Sequence, residues 1–203
     1  MDDIVLRAMA KWPNVPSVLG WLALDRRGHW LLRGERIGNR AANEFISRNY
    51  ARDGHGQWYF QNGPQRVFVS LSYTPWVLVL DAEGRFHTHT RLSVETLERC
   101  WVDDAMNLLL ETEHGIGLIH DHDLTPLTEA FYDADGNKLD DDETQAALES
   151  LAHGTASGVV LHWNGCAVPV SYIRARDVPG RFDFVAEPAP QTEPPDNTAK
   201  ARN

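Results

Sequence analysis

The chain has 203 residues, 42% hydrophobic and 24% charged, which is ordinary for a globular protein and long enough for a packed core. Its net charge of −10 argues against a general nucleic-acid binder, and no apolar run approaches the roughly eighteen residues of a membrane span. The charge is uneven: residues 1–102 carry 13 Lys and Arg against 10 Asp and Glu, whereas 103–150 carry 1 against 14, an acidic belt.

Residues 3–12 place Ile4, Val5, Ala8, Met9 and Trp12 on one helix face, and Pro13 and Pro16 stop that helix. Residues 21–24 read as a strand, Asp25-Arg26-Arg27-Gly28 as a turn and 29–33 as the return strand. A second turn at Gly34 leads through Ile37 to Asn39, an N-cap for a helix over 40–51. That helix turns Ala41, Phe45 and Ile46 inward and Arg40, Glu44 and Arg48 outward. Asp53-Gly54-His55-Gly56 delivers the chain to its central stretch, residues 57–81.

There, Trp58, Tyr59 and Phe60 make a short aromatic strand, and Asn62-Gly63 suits a tight hairpin turn. Val67, Val69, Leu71 and Tyr73 alternate with Phe68, Ser70 and Ser72, and 76–80 is a continuous apolar run ending at Asp81-Ala82-Glu83-Gly84. Beyond it a strand is expected over 86–92, and a short helix capped by Ser93 with Val94, Leu97 and Trp101 on one face. Residues 108–112 and 116–122 read as a hairpin, and 130–133 as a strand ending in the turn Asp133-Ala134-Asp135-Gly136. A helix starting at Asp142 buries Ala147, Leu148 and Leu151. After a loop over 154–158 come a second Asn-Gly hairpin, 159–163 with 167–173, and a last strand over 182–186. From Glu187 the tail has no apolar periodicity and is expected to be disordered.

A gapless shift of 102 residues lays Gly34 on Gly136, Ile37 on Leu139, Ile46 on Leu148, Gly56 on Gly158 and Asn62-Gly63 on Asn164-Gly165. The expected architecture is therefore α+β, with mixed, mostly antiparallel sheets in two pseudo-repeats, 1–102 and 103–186, and a tail from 187. Two such halves leave a groove between them, a usual place for a ligand. The residues Trp12 to Pro16 (WPNVP), the pattern around Trp30 and Ile37, and the segment FQNGPQRVFV resemble a family of uncharacterised proteobacterial proteins. The order of elements is similar to that of a related bacterial domain of unknown function. The resemblance covers about residues 1–185. It implies a mixed α/β fold of repeated motifs and a part in signalling, and it brings no catalytic residues.

Two His-x-His pairs, His87 with His89 and His120 with His122, are candidate metal ligands, because alternate residues of a strand share a face. Solvent-facing polar positions account for them better, since nine histidines in the chain make such pairs common by accident. Trp58, Phe60 and Trp76 are candidate walls of an apolar pocket, and Arg66, beside the Asn-Gly turn, a candidate anion ligand; packing in the core is the competing reading for the aromatics. The acidic run from Asp133 to Glu143 misses the spacing of a calcium loop and fits a turn followed by an acid-rich helix start. There is no nucleophile elbow, phosphate loop or dinucleotide fingerprint, and no cofactor is expected. Cys100 and Cys166 form neither a metal pair nor a disulfide framework, and the acidic start lacks the layout of a signal peptide, so the expected location is the cytoplasm. The leading reading is a non-enzymatic module that recognises a small ligand or a protein partner, with neither nucleic acid nor membrane among its partners. Its rivals are a metal-dependent enzyme built on the His-x-His pairs and an acidic scaffold for a basic partner.

Overall fold

The computed structural model describes residues 1–12, 15–155 and 158–190. Of the sequence expectations, part of the Pro13–Pro16 stop, part of the 154–158 loop and the tail from 191 onward lie outside the described residues. The chain runs α1 (Asp3–Lys11), β1 (Val18–Leu24), β2 (Trp30–Leu32), β3 (Glu35–Arg36), α2 (Arg40–Arg48), β4 (Tyr50–Arg52), β5 (Trp58–Asn62) and β6 (Gln65–Leu71). It continues through β7 (Trp76–Leu80), β8 (Phe86–Thr88), β9 (Leu97–Val102), β10 (Leu108–Thr112), β11 (Gly115–Ile119), a 3₁₀ turn at Asp121–Asp123, α3 (Thr125–Thr128) and β12 (Phe131–Tyr132). Then come α4 (Asp141–Ala152), β13 (Val160–Trp163), β14 (Cys166–Tyr172), a second 3₁₀ turn and α5 (Val178–Arg181).

The fold is α+β. A six-stranded sheet has the order β3-β2-β1-β6-β5-β4, and an eight-stranded sheet the order β12-β13-β14-β9-β10-β11-β7-β8. Pairing is mostly antiparallel; β1 with β6, β7 with β11 and β9 with β14 run parallel. One continuous apolar core joins the two sheets, from Leu22, Trp30 and Trp58 on the first to Trp76, Leu109, Phe131 and Leu161 on the second. The chain passes from one sheet to the other between Leu71 and Trp76. The 102-residue shift lays α2 on α4 and β5–β6 on β13–β14, and β6 and β14 each run parallel to an inner neighbour. It brings β2 onto β12 only at Trp30 and Tyr132, and β2 borders β1 whereas β12 borders β13.

A repeated device governs the hairpins. Five loops begin with aspartate, at Asp25, Asp53, Asp81, Asp103 and Asp133. In each, Oδ1 accepts the backbone N–H groups two and four residues on, at 2.8–3.0 Å. The backbone closes each loop in the same way, N–H(i+3) to O(i) and N–H(i) to O(i+4). The residue at i+3 has positive φ, which glycine meets without strain at four loops and Met106 meets at φ 58° in the fifth. The sequence shows four of these loops through their glycines and hides the Met106 one.

Several local expectations are corrected. The helix over 40–51 ends at Arg48: Asn49 is buried and donates through Nδ2 to the Phe45 carbonyl, and Tyr50 pairs in register with Phe60 as part of β4. The short helix after Ser93 is instead the strand β9, flanked by β10 and β14. With Cys100 and Val102 buried as well as Trp101, its alternation is masked and a helical spacing appears. The strand over 86–92 stops at Thr88, where a turn places Arg91 at φ 70°. The hairpin strand 116–122 stops at Ile119. His120 N–H makes the last ladder bond, to the Leu78 carbonyl, before the chain turns. The last strand over 182–186 reduces to one parallel bridge between Val185 and Gln57.

Helix α4 begins one residue earlier than expected and carries a reciprocal cap: Asp140 accepts from Glu143 N–H at 2.8 Å and Glu143 accepts from Asp140 N–H at 3.0 Å. Asp140→Ala should lower stability by about 1 kcal/mol, read from the midpoint of urea unfolding. An unchanged midpoint would show that tertiary packing alone holds this helix start.

Candidate functional site

Where the six-stranded sheet meets the β7–β8 end of the eight-stranded sheet, aromatic rings close around His89. Its ring lies 5.2 Å from Trp30 and 5.8 Å from both Tyr50 and Trp76, and Tyr50 in turn contacts Trp58 at 4.8 Å. Trp58 and Trp76 meet edge to face at 5.0 Å. Trp58, Phe60 and Trp76 are thus buried among one another and their neighbours, and none of them lines the cavities described below. Tyr50 donates its hydroxyl to the Pro75 carbonyl at 3.1 Å, and burial pushes its pKa well above the ordinary value. Trp76 donates Nε1–H to the His114 carbonyl at 2.7 Å.

The tautomer of His89 follows from its hydrogen bonds. Nδ1 accepts the Val77 N–H at 3.3 Å, so the ring proton sits on Nε2. Nε2 is screened from solvent and has no partner among the described residues, although other atoms of this half-buried residue reach the surface. Burial disfavours the charged ring and pushes its pKa down to about 3. Against it lies the β1–β2 turn: Gly28 sits at φ 79°, and a Cβ there would come within 2.7 Å of the His89 Cβ. The absence of a side chain at Gly28 is what lets this turn close on the histidine.

Two cavities of about 160 and 410 Å³ share Asn43, Ser47 and His89 in their walls. Asn43 donates through Nδ2 to the Ile37 carbonyl at 2.8 Å, which leaves its buried Oδ1 as an acceptor without a partner among the described residues. Ser47 accepts the Trp30 Nε1–H at 3.1 Å, so its own proton remains to be donated. Arg36 lines the smaller cavity; Arg48, Arg91 and Glu44 line the larger one, with Arg91 and Glu44 3.8 Å apart. A third cavity of about 490 Å³, also bordered by His89, is walled by Arg27, Asp81, His87 and Arg91. Asn43 and Ser47 carried no signal as site residues in the sequence. Their spacing, i and i+4 on α2, is legible only once the partner of that helix face is known.

The histidine pairs part company. His87 lies on β8 and meets Asp81 through Nε2 at 2.9 Å. The Arg85 N–H and then His87 hold the Asp81 carboxyl well below the usual carboxylate range. His89 faces the aromatic cluster instead. His120 and His122 flank Asp121 in the 3₁₀ turn, their rings 4.9 Å apart, and this trio is the one His/Cys/Asp/Glu group among the described residues compact enough to hold a metal. The four histidines therefore do not converge on one centre. Asp123 accepts the Leu80 N–H at 3.0 Å and belongs to the scaffold. Arg66 stacks on Tyr59 at 4.7 Å and lines a separate cavity of about 380 Å³ with Trp12, Ser17 and Gln61.

The fold and the cleft define an α+β protein of two sheets with polar groups converging at their junction. The chain belongs to the family DUF2944, described as "Protein of unknown function (DUF2946)", whose model matches residues 1–189. A solved structure of a DUF1285 family protein from Silicibacter pomeroyi DSS-3 shares the fold: TM-score 0.51, 16% identity, covering 84% of this chain and 96% of that one. Comparison with curated proteins gives no match. No helix among the described residues is long and apolar enough to cross a membrane.

Proposed function

We propose that this protein is a non-enzymatic module that binds a small polar ligand in the cleft around His89, Asn43 and Ser47. The observation that carries this reading is a pair of buried polar atoms without partners among the described residues, the His89 Nε2–H donor and the Asn43 Oδ1 acceptor, on two residues that both line the same two cavities. Leaving such groups unpaired costs about 1–3 kcal/mol each, which a ligand carrying the complementary acceptor and donor recovers. Arg48 is paired with Asp2 and Arg91 with Glu44, which leaves the positive charge of Arg36 at the smaller cavity to favour one negative charge on that ligand. The chemistry that fits is a small carboxylate bearing a neighbouring hydroxyl or amino group. A neutral imidazole whose pKa lies near 3 is poorly matched to proton transfer near neutral pH, which supports binding over acid–base catalysis.

In the same reading, residues 1–102 and 103–186 are pseudo-equivalent halves, supported by the matching α2/α4 and β5–β6/β13–β14 segments. The cytoplasm is the proposed location, supported by two unpaired cysteines, one of them, Cys100, buried with its thiol pushed up to about 12.

The test is histidine ¹⁵N NMR of the full chain titrated with glycine, alanine, lactate and glycolate. The His89 Nε2 resonance should move with at least one of these, while His162, stacked on Tyr132, stays fixed. Asn43→Ala should abolish the response. If none of the four shifts His89 at millimolar concentration, this ligand class is wrong.

A further inference from the structure

We infer that His120, Asp121 and His122 form a binding site for a late divalent transition metal such as Zn²⁺, separate from the His89 cleft. One ligand atom from each of the three residues lies within 4.8 Å of the others. The His120 Nδ1 is already 3.1 Å from the Asp121 Oδ1. Two ligands of one tetrahedral zinc, each bonded at about 2.0–2.1 Å, stand roughly 3.4 Å apart, so this pair sits close to the required edge. His122 is exposed, and rotation of its side chain closes the remaining distance without disturbing the core.

The carboxylate is held for the purpose. Arg27 donates through Nε and Nη2 to the Asp121 Oδ2, at 3.1 and 2.5 Å, and so leaves Oδ1 turned toward His120. An outer partner that fixes a ligating carboxylate in this way is a recurrent feature of metal sites. His120 Nδ1 now accepts the His122 N–H at 3.1 Å, and the metal takes over as its partner. The backbone at this turn is pinned by His120 N–H to the Leu78 carbonyl and by Asp123 to Leu80 N–H, so the ligands project from a fixed base. Two imidazoles and one carboxylate favour zinc, nickel or copper over magnesium or calcium, and solvent fills the open positions. Because Arg27 belongs to the β1–β2 turn that covers His89, an occupied site also stiffens one wall of the cleft.

The experiment is isothermal titration of the untagged, metal-free full chain with ZnCl₂, repeated with MgCl₂. One zinc should bind and no magnesium, with affinity reduced at least about tenfold in His120→Ala and in His122→Ala, a loss no smaller than that of an outer partner. His87→Ala, whose ring is engaged by Asp81, should bind zinc as the parent does. Histidine ¹⁵N NMR of the unmutated protein gives a second readout: zinc should shift the ring nitrogens of His120 and His122 and leave those of His162 unmoved. Absent zinc binding, equal binding in the double variant His120→Ala/His122→Ala, or zinc shifts confined to other histidines would each overturn the assignment.

Discussion

Stability should fall as the pH is lowered from about 6.5 to 4.5, and most of that loss should vanish in His89→Gln. The folded ring has a pKa near 3, against 6.5 for the free side chain, with burial as the cause and the Asp25 charge opposing it. Between those two values the unfolded chain takes up a proton that the folded protein refuses, so folding stability rises with pH through the window. The contribution is fully present above 6.5 and is lost progressively as the pH falls toward 3. The limiting slope of about 1.4 kcal/mol per pH unit gives a loss of about 2 kcal/mol between pH 6.5 and 4.5.

Glutamine keeps an acceptor for the Val77 N–H and a donor toward the cleft but does not titrate, so it isolates the effect. The aspartates held below their usual range, Asp25, Asp81 and Asp133 among them, are depressed from 3.8 and withdraw their support beneath this window, while Glu44 and Glu113, depressed from 4.5, begin to withdraw theirs only at its lower edge. Urea unfolding at half-unit steps of pH measures the difference. Parallel stability curves for the parent and His89→Gln would mean that water reaches the ring nitrogens in solution and that burial does not depress the pKa of His89.

Asp103→Ala should cost about 4 kcal/mol, whereas the same change at Asp133 should cost about 1 kcal/mol, although both residues open the same kind of loop. Asp103 is fully buried. Its carboxylate accepts the Tyr73 hydroxyl at 2.6 Å, the Ala105 and Asn107 N–H groups at 2.9 Å and the Asn107 side-chain amide at 2.8 and 3.0 Å. Burial and the hydrogen bond to Asp103 together push the Tyr73 hydroxyl far above its ordinary pKa, so it stays a donor at every accessible pH. Alanine leaves these donors facing protein with nothing to accept them. At Asp133 the donors freed by the same change are exposed and turn to water. The ratio of the two losses, taken from denaturant midpoints at constant slope, is the decisive quantity. Equal losses would show that the loop geometry, and not the buried network, sets the cost.

The loops were legible because their chemistry is local. Asp25, Asp53, Asp81 and Asp133 each precede a glycine by three residues, and the carboxylate closes the turn on its own backbone, so no distant partner is needed to read it. The aromatic strand β5, its Asn-Gly turn and β6 were legible for the same reason, and so was the capped start of α2, where Asn39 accepts the Ala42 N–H at 2.9 Å. The Met106 loop was not, since its positive φ is imposed by the buried Asp103 network rather than advertised by a glycine. Strand β9 was misread because a strand covered on both faces loses its period of two. His120 and His122 were placed on a strand because nothing within the segment shows that β11 ends opposite Leu78 while β7 runs on to Leu80.

What the sequence by itself determined is the α+β class, the position of nearly every turn, and the absence of a recognisable catalytic or cofactor motif. These depend on backbone propensities and on side chains that act within five residues of themselves. Only the tertiary structure decided that β1, β7 and β9 acquire parallel neighbours, that His87 and His89 face different partners, and that Asn43, Ser47 and His89 line the same cavities. The reason is that parallel pairing and cleft formation join residues tens of positions apart, and no local period records which distant strand or helix face will supply the partner.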